Sequence, residues 1–236
     1  MDIKQEFEIV EKAKVFFKER IAANHLSNTM KLKDINEFNI NPFLHKYLAR
    51  FAFGNDDPMS MAKALLYPRV LGTSIATTFG NELQYFCNDV LQSYASLTTG
   101  IDIEYNDIYD GRRKYCQIKG GPNTINNDDV ETIKNHFNAI KNLARTNRLM
   151  DLNPMTDCVV GVLYGDKDSL SGAYKKIAKE YTVLAGKDFW EHLTGDPMFY
   201  EKLIGAFAEA ASEMDCSKEV EETLQALAAH FAEASR

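Results

Sequence analysis

The feature that most constrains the fold is a continuous run of apolar and small residues at positions 158–163. Such a run is typical of a strand that is buried on both faces, which requires helices on both sides of its sheet. A helix is predicted before it, from about Asn127, because Val130, Ile133 and Phe137 recur at helical spacing. The sequence therefore predicts an α/β fold with a mixed β-sheet flanked by helices, and additional helices at both ends of the chain.

Two strand-like runs precede this helix and flank an Asp-Gly pair at positions 110–111, which is a strong signal for a β-hairpin. If this pair forms the turn, Asp102 faces Lys119 across the ladder and Glu104 faces Gln117. All four side chains then point to one face, because side chains alternate along a strand. Two carboxylates, an amide and an ammonium on one face of the hairpin are typical of a metal-dependent site that cleaves phosphodiesters.

The polar face of the hairpin is expected to bind a hard cation. Mg²⁺ prefers oxygen ligands, which Asp102, the side chain of Gln117 and the backbone carbonyl of Ile118 could supply. The ammonium of Lys119 would position or deprotonate the attacking water and stabilise charge on the phosphate. The alternative is an ordinary polar hairpin face, in which an Asp–Lys pair contributes only a few tenths of a kcal/mol.

Composition places few limits on function. The chain has 236 residues, of which 45% are hydrophobic and 26% charged, as in ordinary globular proteins. No apolar run approaches the ~18 residues of a membrane span, and the N-terminus lacks the apolar stretch of a signal peptide. Four widely spaced cysteines without a CxxC pair predict reduced, buried thiols in a cytoplasmic protein of bacterial type. A net charge of −7 argues against a passive nucleic-acid coat, but not against an enzyme with a local basic cleft.

The rest of the chain is predicted to be mainly helical, within one globular unit. We expect an N-terminal helical region at 1–73, a core with the hairpin and the buried strand at 74–166, and a C-terminal helical region at 167–236. The last region would pack on the core or form a dimer contact. Apolar spacing and proline or glycine breaks predict helices at 2–23, 42–53, 60–67 and 74–93.

The hairpin carries a resemblance to a known family. Asp102, followed by Gln117-Ile118-Lys119, resembles the active-site signature of the PD-(D/E)xK nucleases, with Asp102 and Gln117 at the two acidic positions and Lys119 at the lysine. The Gly-Asn-Glu at 80–82 and the Gly-Gly-Pro-Asn-Thr loop at 120–124 extend the similarity to type II restriction endonucleases. It is most similar to the TdeIII-like group, which acts on interrupted GC-rich palindromes. The resemblance implies a restriction-endonuclease-like core at 74–166.

One position departs from the family pattern, because Gln117 stands where Glu or Asp is usual. A neutral amide removes a negative charge from the metal site, so another carboxylate is expected to compensate. Glu82 is the leading candidate, since it lies inside or beside the apolar stripe of the helix at 74–93, and Glu104 is the nearer alternative. A glutamate that reaches solvent from the edge of that stripe is the simpler reading of Glu82. We predict an active enzyme with a relocated acid; an inactive descendant is the alternative.

The resemblance implies a type II site-specific deoxyribonuclease that uses Mg²⁺, with Mn²⁺ as an alternative ion, and double-stranded DNA as substrate. A homodimer is expected, since a two-fold protein matches a palindromic site. A methyltransferase that acts on the same DNA site without binding the enzyme is an expected companion. Polar side chains near the turn and after Lys119 are predicted to contact DNA: Arg112, Arg113, Lys114, Asn123, Thr124, Asn126 and Asn127. The alternatives are a repair or recombination nuclease of the same fold, or a DNA-binding module without activity.

Overall fold

The structure is a computed structural model that describes residues 3–91, 94–148 and 151–234. The chain divides into two compact units. The first, here called the sheet unit, comprises Met1–Phe16 and Leu83–Ala208; the second, the helical unit, comprises Phe17–Glu82 and Glu209–Arg236. Segments from both the N-terminal and the C-terminal helical regions contribute to the helical unit.

The α-helices follow one another along most of the chain. They are α1 Ile3–Phe16, α2 Ala23–Lys31, α3 His45–Phe53, α4 Pro58–Pro68, α5 Ile75–Tyr85, α6 Asn127–Thr146, α7 Pro154–Asp157, α8 Gly172–Ile177, α9 Lys187–Thr194, α10 Phe199–Ser212 and α11 Ser217–Ala234. Shorter helical segments are the π-helical Phe17–Ala22, Arg69–Ser74 and Phe86–Val90 and the 3-10 turn Ile35–Glu37.

A four-stranded mixed sheet forms the centre of the sheet unit in the described part of the chain. Its strands, in sheet order, are β1 Ile103–Asn106, β2 Arg113–Lys119, β3 Cys158–Val162 and β4 Thr182–Ala185. β1 and β2 are antiparallel, whereas β3 runs parallel to both β2 and β4. All of β3 is buried, with residues of α6 and α8 packed on one face and the Phe189 ring of α9 against Gly161 on the other. The predicted α/β fold with a mixed sheet flanked by helices is confirmed.

The pairing of β1 with β2 differs from the prediction by two residues. Glu104 lies opposite Tyr115, not opposite Gln117. The predicted pairing of Asp102 with Lys119 is wrong for the same reason. The turn is not a two-residue Asp-Gly turn: Asp107 N donates to Arg112 O (3.0 Å), so four residues form the loop. Because the shift is even, Glu104 keeps its predicted face, which it shares with Tyr115 and Gln117. Asp102 precedes β1 and lies outside this paired register.

Strand β4 was missed by the sequence analysis, which predicted mainly helix after residue 166. β4 is an edge strand of four residues, and only Ala185 in it is buried. A short, half-covered strand needs no long apolar run, so its sequence gives a weak signal.

Two of the N-terminal helical segments are longer than predicted, and one is shorter. Helical backbone continues past residue 23 as far as Lys31. It also continues past Pro68, through the π-helical Arg69–Ser74, because a wider helical turn can accommodate a proline that lacks an N–H. The helix predicted at 42–53 begins only at His45. The helix predicted at 74–93 is described as far as Val90, and positions 92 and 93 lie outside the described residues.

Helix α6 begins at Asn127, as predicted. Asn126 caps it by accepting hydrogen bonds from the backbone N–H groups of Asp128 and Asp129, while the Asp129 carboxylate accepts from Asn126 N. The buried face of α6, which includes Ile133 and Phe137, packs on the same core as β3. His136, the residue before Phe137, lies at the edge of this buried face.

The apolar stripe of α11 is covered inside the helical unit. Leu224 and Leu227 pack with Ala62 and Leu66 of α4 in one buried cluster. Along the described part of the chain, no helix combines the length and apolar character needed to cross a membrane.

The prediction of free, buried cysteines is confirmed at two of the four positions. Cys116 and Cys158 are buried and free, and Cys216 is free and half-buried. The side chain of Cys87 lies outside the described part of the structure.

Candidate active site

The candidate site lies where the chain enters β1, beside the C-terminal end of β2. Asp102 N donates to Cys116 O (3.0 Å), and the Asp102 carboxylate oxygen Oδ2 accepts from Ile118 N (2.7 Å). The other oxygen, Oδ1, makes no hydrogen bond with any described residue. The strand backbone therefore holds this carboxylate by one oxygen and leaves the second available.

The electrostatic surroundings of Asp102 favour a nearby cation. Burial raises the pKa of Asp102, while the hydrogen bond from Ile118 and the charge of Lys119 act to lower it; the net shift is upward. Burial destabilises the ionised carboxylate, so a bound cation would stabilise the charged form.

Lys119 lies on the same face of β2 as Gln117, as predicted. It is half-buried, and its charge acts on the Asp102 carboxylate. Among the described residues, none forms a hydrogen bond or ion pair with the Lys119 ammonium. Three N–H donors are therefore available to an anionic group such as a phosphate.

Gln117 is held by two acceptors. Its side chain is 5% exposed, and its Nε2 donates to the carbonyl of Gly100 and to Nδ1 of His136 (2.5 Å). Its oxygen, Oε1, is buried and has no hydrogen-bond partner among the described residues. A buried, unpartnered amide oxygen is costly unless a ligand or water completes it.

Glu104 is already neutralised by neighbouring side chains. One oxygen accepts from Ser96 (2.6 Å) and Thr98 (3.2 Å), and the other accepts from Arg113 Nε (2.7 Å). Burial alone would raise the pKa of Glu104, but the hydrogen bonds from Ser96 and Arg113 outweigh it and the pKa is lowered. A cation would have to compete with Arg113 for this carboxylate.

Glu82 has partners within the helical unit. Its Oε1 accepts from Asn24 Nδ2 (3.0 Å), and its Oε2 lies 3.5 Å from Arg20 Nη1. The side chain is 13% exposed, so it does not extend freely into solvent from the edge of α5.

All three predicted DNA-contact cations at the turn are bound to carboxylates. Arg112 donates to both oxygens of Asp157 (2.9 and 2.5 Å). Lys114 is 2% exposed and donates to Asp110 (2.5 Å), with Asp157 at 3.5 Å. Arg113, the third, pairs with Glu104 but remains 64% exposed.

The loop after Lys119 presents its predicted contacts at the surface. Asn123 is exposed and makes no hydrogen bond with described residues. Thr124 bonds to Gly121 O (2.8 Å), Asn126 caps α6, and Asn127 accepts from Lys176 (2.7 Å).

A sequence model of the family described as Type II restriction endonuclease EcoO109I matches residues 4–215, which is most of the chain. The chain belongs to this family. The EcoO109I-family protein is therefore a nuclease that acts on DNA, and the resemblance to restriction endonucleases is confirmed. The match does not support the narrower TdeIII-like assignment. No curated protein matches the chain significantly.

Type II restriction endonucleases generally use divalent metal ions, and the donors at this site fit one. The available oxygens are Asp102 Oδ1 and the unpartnered Oε1 of Gln117. Since the N–H and C=O of a strand residue point to the same side, the Ile118 carbonyl is directed past the start of β1, like its N–H. In the described chain, no group of three His, Cys, Asp or Glu side chains is arranged to hold a metal.

Sequence reasoning missed one residue at the site of this endonuclease. His136 lies on α6 and contacts the side chain of Gln117. Its only signal was its place next to Phe137 on the buried face of a predicted helix, which gives no indication of a strand partner.

Proposed function

We propose that this protein is a Mg²⁺-dependent type II restriction endonuclease that hydrolyses double-stranded DNA at a specific sequence, with Mn²⁺ as an alternative ion. The observation that carries the proposal is the convergence of the Asp102 carboxylate and the unpaired Lys119 ammonium at one end of β2. A cytoplasmic location follows from this function.

Three oxygens would hold the cation: Asp102 Oδ1, Gln117 Oε1 and the carbonyl of Ile118. When bound, a divalent cation lowers the pKa of a coordinated water and neutralises charge on the phosphate. Asp102 fixes one ligand, because Ile118 N–H anchors its carboxylate. Lys119 binds the scissile phosphate, orients the attacking water and stabilises the charge that develops on the phosphate oxygens.

The acid that compensates for Gln117 is proposed to be Glu82, with Glu104 as the alternative. This proposal rests on the place of Glu82 beside the apolar stripe of its helix, since in the structure its carboxylate is held by Asn24 and Arg20 of the helical unit. Glu104 would contribute only after release from Arg113.

DNA contacts are proposed at the turn and in the loop after β2. Arg112 and Arg113 line an open cavity of about 650 Å³ together with Arg148. Because Lys114 is buried, we expect it to support the turn electrostatically while the arginines meet phosphates. The polar side chains at the surface of the loop after β2 are candidates for base contacts: Asn123, Thr124, Asn126 and Asn127.

A homodimer is proposed, as suits a palindromic DNA site. Phe43, Tyr47 and Phe51 follow one another at helical spacing and are 90%, 58% and 76% exposed. A row of exposed aromatic residues is typical of a protein interface. A companion methyltransferase is expected to act on the same DNA site.

The test is cleavage of a plasmid with Mg²⁺ and with EDTA. We expect discrete fragments only with Mg²⁺, and a loss of at least about 100-fold in rate for Asp102→Asn and Lys119→Ala. Lys134→Ala is the matched control, because among the described residues Lys134 forms an ion pair with Glu180 alone. Wild-type cleavage by Asp102→Asn would contradict the proposed site. Structure-dependent nicking would indicate a repair nuclease, and retained but intact DNA would indicate a binding module.

The relocated acid is tested separately. If cleavage by Glu82→Ala depends on the Mg²⁺ concentration as the wild type does, Glu82 is not the compensating acid.

A further inference from the structure

The side chain of Gln117 has two chemically opposite ends, and only one can bind a cation. Its oxygen accepts, whereas its NH₂ group only donates. The last torsion of a glutamine is broad and roughly two-fold, so the strand position alone does not decide which end faces a given neighbour. Something in the structure must select the orientation.

Two acceptors select it. Nε2 of Gln117 donates to the backbone carbonyl of Gly100 and to Nδ1 of His136 (2.5 Å). A carbonyl oxygen can only accept, which assigns the nitrogen to this side of the amide. With both N–H groups used, Oε1 is the end that remains without a partner among the described residues.

Gly100 allows the two acceptors to lie so close together. Its φ is +80°, in the left-handed region, and a Cβ at this position would lie 2.6 Å from Cγ of His136. A side chain there would displace the imidazole ring or the backbone. Gly100 and His136 therefore form one cradle around the NH₂ group of Gln117.

We propose that His136 is a positioning residue that orients the Gln117 amide so that Oε1 faces a divalent cation held with Asp102. This inference rests on the proposed function, in which Gln117 is a metal ligand. His136 thus does for a glutamine what outer-shell partners do for metal-binding histidines and carboxylates, fixing the ligand by a hydrogen bond to its other end.

The cradle also explains why an amide occupies this position. A glutamate at position 117 would place a carboxylate oxygen against the Gly100 carbonyl, with two acceptors facing each other. Gln117→Glu is therefore expected to bind Mn²⁺ no more tightly than the wild type, although it adds a negative charge.

Binding of Mn²⁺ to the free protein, measured by electron paramagnetic resonance without DNA, tests the proposal. His136→Leu removes the acceptor, and the affinity for Mn²⁺ should fall about 10- to 100-fold. His136→Asn offers an acceptor near the position of Nδ1 and should retain most of the affinity. Lys134→Ala, on the same helix, should behave as wild type. Wild-type affinity in His136→Leu would overturn the proposal.

Two further measurements make the outcome unambiguous. If Asp102→Asn also keeps wild-type Mn²⁺ affinity and cleavage, the proposed function itself fails; if only His136→Leu is unaffected, the positioning role alone fails. In the wild-type protein, a Mg²⁺ titration followed by NMR should shift the side-chain carbonyl carbon of Gln117 and leave its NH₂ protons hydrogen-bonded. Perturbed NH₂ protons with an unmoved carbonyl carbon would overturn the proposal even if the variants did not fold.

Discussion

Replacing Asp157 by asparagine should destabilise the fold through the loss of one charge at the hairpin. The Asp157 carboxylate accepts hydrogen bonds from Arg112, from Asn153 N (2.7 Å) and from Thr156 (3.1 Å), and Lys114 lies 3.5 Å away. Burial alone would raise the pKa of Asp157, but Arg112 and Asn153 outweigh it and lower the pKa from 3.8 to about 2. Asp157→Asn removes the charge and leaves two cations without it.

The size of the effect follows from this pKa. A shift of this size corresponds to about 2.5 kcal/mol of stability at pH 7. Because Arg112 is 37% exposed, solvent screens the pair, and we expect about 1–2 kcal/mol. A carboxyl group whose pKa is lowered by folding stabilises the folded state at pH values above its unfolded pKa. This contribution is lost as the pH falls towards the folded pKa. The difference between wild type and variant should therefore be complete at pH 7 and about half as large near pH 3.

Urea unfolding of both proteins at several pH values measures this difference. Glu180→Gln is the control, since its pair with Lys134 is at the surface and should contribute nothing measurable. Equal stability of Asp157→Asn and wild type at pH 7, or a difference that does not change between pH 7 and pH 3, would refute the reasoning.

Three other outcomes are expected. Gly100→Ala should lower the free energy of unfolding in urea by about 1–2 kcal/mol, because the φ of Gly100 is positive. It should also weaken Mn²⁺ binding by displacing His136, and unchanged binding would contradict the proposed cradle. Phe51→Asp should convert a dimer into a monomer in light scattering after size exclusion, and a dimer that persists would place the interface elsewhere. Burial raises the pKa of the Cys158 thiol to about 12, so iodoacetamide at pH 8 should label Cys216 first, as read by mass spectrometry; early labelling of Cys158 would show that its surroundings open.

Much of the fold was predictable because its signals are local. The apolar run of β3 and the capped, periodic α6 are each specified by neighbouring residues, and both were predicted correctly. The register of β1 and β2 was not, because an Asp-Gly pair indicates a turn without specifying how many residues it contains. Here Asp107 accepts from Tyr109 N (2.9 Å) and favours a four-residue loop.

The candidate site divides in the same way. Gln117 and Lys119 share a face of β2 because side chains alternate along a strand, which sequence spacing alone predicts. Asp102, which precedes β1, is held beside them by its hydrogen bonds with Cys116 O and Ile118 N. The contact between Gln117 and His136 joins β2 to a helix packed over it, and depends on the depth and rotation of α6. The Asp157 carboxylate, which Arg112 and Lys114 share, was equally hidden, since it follows them by more than forty residues.

The loop at the tip of the hairpin suggests how such enzymes can vary without losing their chemistry. Its two base residues are anchored independently, Asp107 by His192 (2.8 Å) and Arg112 by Asp157, while Ile108 and Tyr109 between them are exposed. Residues added between these anchors would leave the strand pairing, and hence the proposed site at the end of β2, undisturbed. The tip is therefore a natural position for grafting longer segments that could reach DNA, with the proposed cleavage site unchanged.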